Sequence, residues 1–181
     1  ILATGGTGGH VFPAEALAQE LAGRGYSLAL LTDRRGDAFT GVLGGIETYR
    51  IRAGGIAGKK LFAILRSGCE LTFGLLQARN LLRKLSPHAV VGFGGYASVP
   101  TMLAASLGGY ATAIHEQNAV LGRANRMLAS RVRKIATCFN SVNGISEECK
   151  NKVVPTGMPV RPGVIEYRKA PYPEIRDNGR L

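Results

Sequence analysis

Tryptophan is absent from this 181-residue sequence, cysteine is scarce, and acidic residues number 12 against 23 lysines and arginines. With no Trp, and no motif that interleaves aromatic and basic residues, the net charge of +11 does not read as a nucleic-acid footprint. The three cysteines, Cys69, Cys138 and Cys149, are odd in number, form no C-x-x-C pair and have no histidine at metal spacing. That excludes a disulfide framework and a zinc site, and it suits reduced cytosolic thiols. No secretory signal is visible. The span from Ala89 to Ile114 carries no charge, but Gly92, Gly94, Gly95, Pro100, Gly108 and Gly109 interrupt it. It reads as strand, loop, helix and strand in preference to a membrane-spanning helix.

What the sequence does hold is glycine, 25 residues of it, within a chain that is 45% hydrophobic. The length suits one domain with a linker and a real core. The chain opens at Ile1 inside an apolar run and closes at Leu181 in a polar stretch, so it is expected to be part of a longer protein. The basic excess serves solubility or favours anionic partners, such as acidic lipid surfaces and phosphorylated substrates.

Short apolar runs alternate with helical patterns. Strands are expected at Ile1–Thr4, Ser27–Thr32, Ile46–Ile51, Ala89–Phe93, Ala111–His115, Lys134–Cys138 and Lys152–Pro155. Helices are expected at Phe12–Arg24, where Ala14, Leu17, Ala18 and Leu21 share one face, and at Leu61–Leu85, Val99–Leu107 and Leu121–Ala129. Gly68 and Gly74 are candidate breaks in the second of these. Alternation of this kind implies an α/β, Rossmann-like, doubly wound parallel sheet over residues 1–155, with ligands beyond the carboxyl ends of the strands. From 156 to 181 the chain turns charged and proline-punctuated, as in an interdomain linker.

Two glycine-rich loops follow strands and precede helices. In Gly5-Gly6-Thr7-Gly8-Gly9-His10, four glycines in five residues exceed what a tight turn needs. They let backbone N–H groups approach an anion at a helix N-terminus. The spacing is neither a dinucleotide fingerprint nor a P-loop. His10 is either a general base or a residue that caps the helix and lines the pocket. The second loop, Gly92-Phe93-Gly94-Gly95-Tyr96-Ala97-Ser98, repeats the device. Two such cradles in one cleft suit a diphosphate, whereas close helix–sheet packing explains either loop alone.

Two further segments are polar. His115-Glu116-Gln117-Asn118 offers a run of hydrogen-bonding side chains suited to a sugar, although taken singly His115 also reads as a satisfied, partly buried histidine and Glu116 as an exposed carboxylate or a helix N-terminal charge. Thr156-Gly157-Met158-Pro159-Val160-Arg161 enforces a turn before an arginine, which either forks a phosphate or stays solvated.

Together and in this order, GGTGGHVFPA at 5–14, GFGGYASVP at 92–100, HEQNAVLGRANR at 115–126 and TGMPVR at 156–161 resemble the MurG family of glycosyltransferase family 28. Met158 stands where that family usually has Asn, and Val99 where it usually has Gly. The resemblance implies the N-terminal half of a GT-B fold, with a separate C-terminal domain holding most of the UDP-sugar site. It implies an inverting transfer of N-acetylglucosamine from UDP-N-acetylglucosamine to the muramyl 4-hydroxyl of lipid I, giving lipid II, without metal or cofactor. By position, Thr7, Gly8, Gly9, Asn118 and Arg161 are implied contacts to donor or diphosphate. Gly94 and Gly95 join them as the second cradle, and Tyr96 is implied to lie near the acceptor. His10 and Glu116 are implied catalytic candidates, and the half chain alone is expected to be inactive.

Leu61–Leu85 carries two apolar stripes about 100° apart at helical spacing. Leu61, Ile64, Leu71, Leu75, Ala78, Leu82 and Leu85 can serve the core. Phe62, Leu65, Cys69, Phe73 and Leu76 are either buried as well or surplus, and Lys59, Lys60, Arg66, Arg79, Arg83 and Lys84 flank them. Apolar side chains ringed by cations suit an interfacial site on an anionic leaflet, and the lipid-linked acceptor that the resemblance implies requires such access, so peripheral attachment to the cytoplasmic face of the inner membrane is expected. The competing readings are a noncatalytic phosphate- or nucleotide-binding module and a transferase acting on another lipid.

Overall fold

The computed structural model describes residues 1–5, 7–33, 41–53 and 61–171, and at 41–42, 61–67 and 169 it describes the backbone alone. Gly6, Lys59, Lys60 and the outer part of the expected linker, 172–181, lie outside these residues, as do the side chains of Phe62, Leu65 and Arg66.

Seven strands form one parallel sheet: β1 (Leu2–Ala3), β2 (Ala29–Thr32), β3 (Glu47–Arg50), β4 (Ala89–Gly92), β5 (Ala111–Glu116), β6 (Lys134–Thr137) and β7 (Val153–Pro155). Their order across the sheet is β3-β2-β1-β4-β5-β6-β7. The central strands are apolar because both faces are covered. Alternate residues show this directly. Leu2 and Leu30 pack with Ala14, Ala18 and Phe93 on one face. Ala3, Leu31, Val90 and Ile114 pack with Ala78, Leu82 and Met102 on the other. Helix α1 (Gly8–Gly23) therefore covers one face, while α2 (Leu61–Leu85), α3 (Ser98–Leu107) and α4 (Arg123–Leu128) cover its opposite. The expected doubly wound architecture is the one observed, and 89–116 is strand, loop, helix and strand. No helix among the described residues is long and apolar enough to cross a membrane.

Boundaries differ in instructive places. Helix α2 runs unbroken through Gly68 and Gly74. A Cβ at 74 would overlap the Arg52 carbonyl oxygen and stand 3.2 Å from Pro100 Cβ, so this glycine lets the helix press on the chain leaving β3. Helix α4 starts two residues later than expected, because Leu121 N–H donates to the Asn143 carbonyl and Gly122 N–H to the Glu116 carboxylate. A short helix, α5 (Pro162–Glu166), interrupts the expected linker, with Pro162 in its first turn.

The chain leaves β1 toward β2 on one side, while β4 takes the place on the other side of β1. This is the topological switch point, where neighbouring loops diverge and leave a crevice beyond the strand ends.

Candidate functional site

Both glycine loops open at that crevice, one after β1 and one after β4. They touch. A Cβ on Gly5 would stand 3.6 Å from Gly95 Cα and 3.9 Å from the Gly94 carbonyl oxygen. Gly94 and Gly95 have φ of +87° and +73°, a left-handed conformation that favours glycine. The His10 ring lies against them: a Cβ at 94 would be 3.1 Å from His10 Cε1, and one at 95 would be 3.3 Å from His10 Cδ2.

The first loop is already helix. Gly8, Gly9 and His10 form the first turn of α1, with Thr7 at the N-cap in an extended conformation. The backbone N–H groups of His10 and Val11 donate to the Thr7 carbonyl. Those of Gly8 and Gly9 meet no acceptor among the described residues, and the Thr7 hydroxyl makes no capping bond. Unpaired N–H groups at a positive helix end are ready for an anion. All three of these residues are exposed.

The loop after β5 completes the crevice. His10 Nδ1 lies 3.2 Å from Gln117 Oε1, and Gln117 Nε2 donates to the Phe93 carbonyl at 3.0 Å. One buried amide thus ties together the loops after β1, β4 and β5. His115 is buried, its Nε2 is 3.1 Å from the Gly157 carbonyl oxygen and its Nδ1 is 3.3 Å from Gln117 Nε2. Burial pushes the His115 pKa below its ordinary value, with the Gly157 carbonyl and the Glu116 charge opposing in part.

Glu116 is 1% exposed, and its carboxylate accepts four hydrogen bonds. Oε1 takes the backbone and side-chain N–H groups of Asn118, both at 3.0 Å. Oε2 takes Gly122 N–H at 2.9 Å and Asn125 Nδ2 at 2.8 Å. These donors fill its acceptor sites and hold the turn 116–122 in shape.

Arg161 lies on α1. Its guanidinium stacks 4.3 Å above the Phe12 ring and pairs with Glu15 at 3.6 Å. The Phe12 ring in turn would touch a Cβ on Gly8 at 3.2 Å, so Arg161 stands on the Gly8 side of the crevice. Tyr96 is half-buried in the second loop, and Asn118 is exposed at the rim. Thr7, Gly8, Gly9, His10, Gly94 and Gly95 are brought together. Glu116 is instead enclosed within its own turn.

On α2, the stripe expected to serve the core does so where it is described: Ala78 and Leu82 are buried, with Leu71 and Leu75 packed against the core. Phe73 is 56% exposed and Leu76 is 51% exposed, on the surplus stripe. Leu76 lines a groove with Leu75, Arg79, Leu82, Arg83 and Leu107, and Leu107 at the end of α3 is 75% exposed, whereas the Phe73 ring lies 5.8 Å from the Arg52 guanidinium.

Gln117 stood in the sequence only as one member of a polar run, and Asn125 carried no role of its own. Asn125 is 2% exposed and donates to the His115 carbonyl and to Glu116, while its Oδ1 has no partner. The available signal was an asparagine set between Ala124 and Leu128 on the inward side of α4. Among the described residues no cluster of three or more His, Cys, Asp or Glu could hold a metal, and the three thiols are free.

The glycosyltransferase family 28 N-terminal domain matches residues 1–137. Over 180 residues the chain is 60% identical to the UDP-N-acetylglucosamine–N-acetylmuramyl-(pentapeptide) pyrophosphoryl-undecaprenol N-acetylglucosamine transferase of Paramagnetospirillum magneticum, covering 99% of this chain and 48% of that protein. The identically named protein of Rhodospirillum rubrum is 55% identical over 172 residues, 94% of this chain and 43% of its own. The chain spans about half the length of the curated relatives it matches. A crystal structure of Acinetobacter baumannii MurG superposes with a TM-score of 0.67 at 30% identity, over 87% of this chain and 44% of that one.

Proposed function

The chain belongs to glycosyltransferase family 28, as its N-terminal domain, and on that premise we propose that it is the acceptor-binding half of an inverting transferase. The reaction moves N-acetylglucosamine from UDP to the muramyl 4-hydroxyl of lipid I, giving lipid II for peptidoglycan. The observation that carries this reading is the meeting of two glycine loops around His10 at the switch point. Unpaired N–H groups at Gly8 and Gly9, the Thr7 hydroxyl, the backbone of Gly94 and Gly95 and the Arg161 cation offer a diphosphate donors from several sides.

The acceptor oxygen bonds to C1 of the donor sugar as the bond from C1 to the diphosphate breaks. The bonding electron pair leaves with UDP, and the hydroxyl proton passes to His10. Tyr96 and Asn118 line the rim where a muramyl sugar would lie. Glu116 holds the Asn118 turn in place. Most of the UDP-sugar site belongs to a second, C-terminal domain.

A lipid-linked acceptor requires contact with the bilayer. Leu76 and Leu107 form an exposed apolar edge beside Arg79 and Arg83, and Phe73 is exposed one turn before Leu76 on α2. Such an edge suits peripheral attachment to an anionic leaflet on the cytoplasmic face. Lys59, Lys60, Phe62, Leu65 and Arg66 precede this edge in the sequence.

Transfer of labelled N-acetylglucosamine from UDP to lipid I by the full-length protein carrying this chain tests the reading. His10→Ala is expected to lower kcat by roughly 10²–10⁴-fold. Failure of the unaltered protein to label lipid I would reject the reaction, and full activity of His10→Ala would reject the base.

A further inference from the structure

We propose that Gln117 is the positioning residue that fixes the proton of His10 on Nδ1 and so leaves Nε2 as the basic nitrogen. As the choice of base it rests on the transferase reading above; as a statement about the two rings it stands alone. A carbonyl oxygen only accepts, and so does the oxygen of a carboxamide. Gln117 lies 3.0 Å from the Phe93 carbonyl oxygen and 3.2 Å from the His115 carbonyl oxygen. Only its NH2 group can face them, because the opposite orientation would set oxygen against oxygen.

The amide oxygen therefore faces His10 Nδ1 at 3.2 Å. Since that oxygen cannot donate, the hydrogen between them belongs to His10. A neutral imidazole with its proton on Nδ1 carries its free lone pair on Nε2. Among the described residues nothing hydrogen-bonds that nitrogen.

The same amide acts on a second ring. Its NH2 group lies 3.3 Å from His115 Nδ1. The Gly157 carbonyl oxygen, 3.1 Å from His115 Nε2, can only accept, so the His115 proton sits on Nε2 and the Nδ1 lone pair faces the Gln117 NH2 group. The two histidines beside this carboxamide thus hold opposite tautomers, His10 by the amide oxygen and His115 by the Gly157 carbonyl. The carboxamide also connects the 156–161 segment, through Gly157 and His115, with the His10 side of the crevice. Gln117 is 7% exposed, and its backbone sits at the end of β5, so it is held on rigid structure.

A neutral orienting group has a consequence for the chemistry. When His10 takes the acceptor proton on Nε2, Nδ1–H keeps its bond to Gln117 and no second proton moves. A substituent without the amide oxygen frees the ring to flip or to exchange tautomers, and part of the population then presents N–H where a lone pair is needed.

The test reads ring nitrogens directly. Long-range ¹H–¹⁵N correlation on the labelled chain, at a pH of about 8 where ordinary imidazoles are neutral, reports which nitrogen of each ring is protonated. The expected pattern is Nδ1–H for His10 and Nε2–H for His115. Gln117→Leu is expected to leave His10 as a tautomer mixture and, in the full-length protein, to lower kcat by about 10- to 100-fold, a part of the base's contribution, with KM little changed. Gln117→Glu keeps an oxygen toward Nδ1 and adds a negative charge there. The acidic limb of its pH–rate profile is expected to move to higher pH. A proton on His10 Nε2 in the unaltered chain overturns the proposal even if no variant folds. So does a folded Gln117→Leu with both tautomer and rate unchanged. Full transfer by His10→Ala with the ring pattern intact overturns the base reading and leaves the tautomer assignment standing.

Discussion

Gly94→Ala is the substitution whose cost the geometry fixes best. Two effects add. Gly94 has φ +87°, and an L-residue in the left-handed region costs about 1–2 kcal/mol. The new Cβ would also stand 3.1 Å from His10 Cε1 and 3.2 Å from Nδ1, tighter than ordinary contact. The ring must retreat by a few tenths of an ångström. Its hydrogen bond to Gln117 is already 3.2 Å long, and a net bond worth about 0.5–1.5 kcal/mol is at risk. The expected loss is about 2–3 kcal/mol in all, read as a lower urea midpoint with an unchanged slope. If His10 is the base proposed above, its displacement by that distance should lower transfer by about tenfold, given that misplacement by 1 Å can cost about 100-fold. Gly25→Ala is the control. It has φ +81° with nothing within 4 Å of the added Cβ, so it carries the backbone cost and leaves the chemistry alone. If Gly94→Ala is no less stable than Gly25→Ala and transfers sugar at full rate, the contact between the β4 loop and His10 has been misread.

Glu116→Gln places an NH2 group among four donors, and it is expected to destabilise the chain by about 2–3 kcal/mol; unchanged stability with abolished transfer would instead make Glu116 a proton-transfer group. Burial holds the His115 pKa below its ordinary value of 6.5. The unfolded chain therefore binds this proton first, and stability should decline as pH falls through about 6.5, until the folded ring protonates too. His115→Asn should flatten that slope in urea titrations, and a wild-type profile already flat over that range would contradict it. Phe73→Ser with Leu76→Ser should reduce flotation with anionic liposomes, as should high salt; binding indifferent to both would reject this edge as the membrane contact.

The sheet was legible because most of its strands are short apolar runs, and because α1 and α2 show helical period. All seven strands appear near their expected places. The start of α1 was not legible. Gly8 and Gly9 are poor helix formers, yet they form its first turn, since the switch point needs bare backbone there. Likewise Gly74 reads as a break in isolation, and only the approach of Arg52 explains its place inside a continuous helix. The site was half legible. Glycine spacing marked both cradles, and His10 followed from one of them. The partnership of His10 with Gln117 spans 107 positions in sequence, and no local pattern carries it. The resemblance implies a catalytic role for Glu116, whereas its surroundings show a saturated acceptor.

The most direct test of a single diphosphate cleft is a titration of the ¹⁵N-labelled chain with inorganic pyrophosphate, followed at the backbone amides. The amides of Gly8 and Gly9 and those of Gly95 and Tyr96 should shift together along one binding curve. Response of one loop alone, or two curves with separate midpoints, would show that the two cradles do not share a ligand.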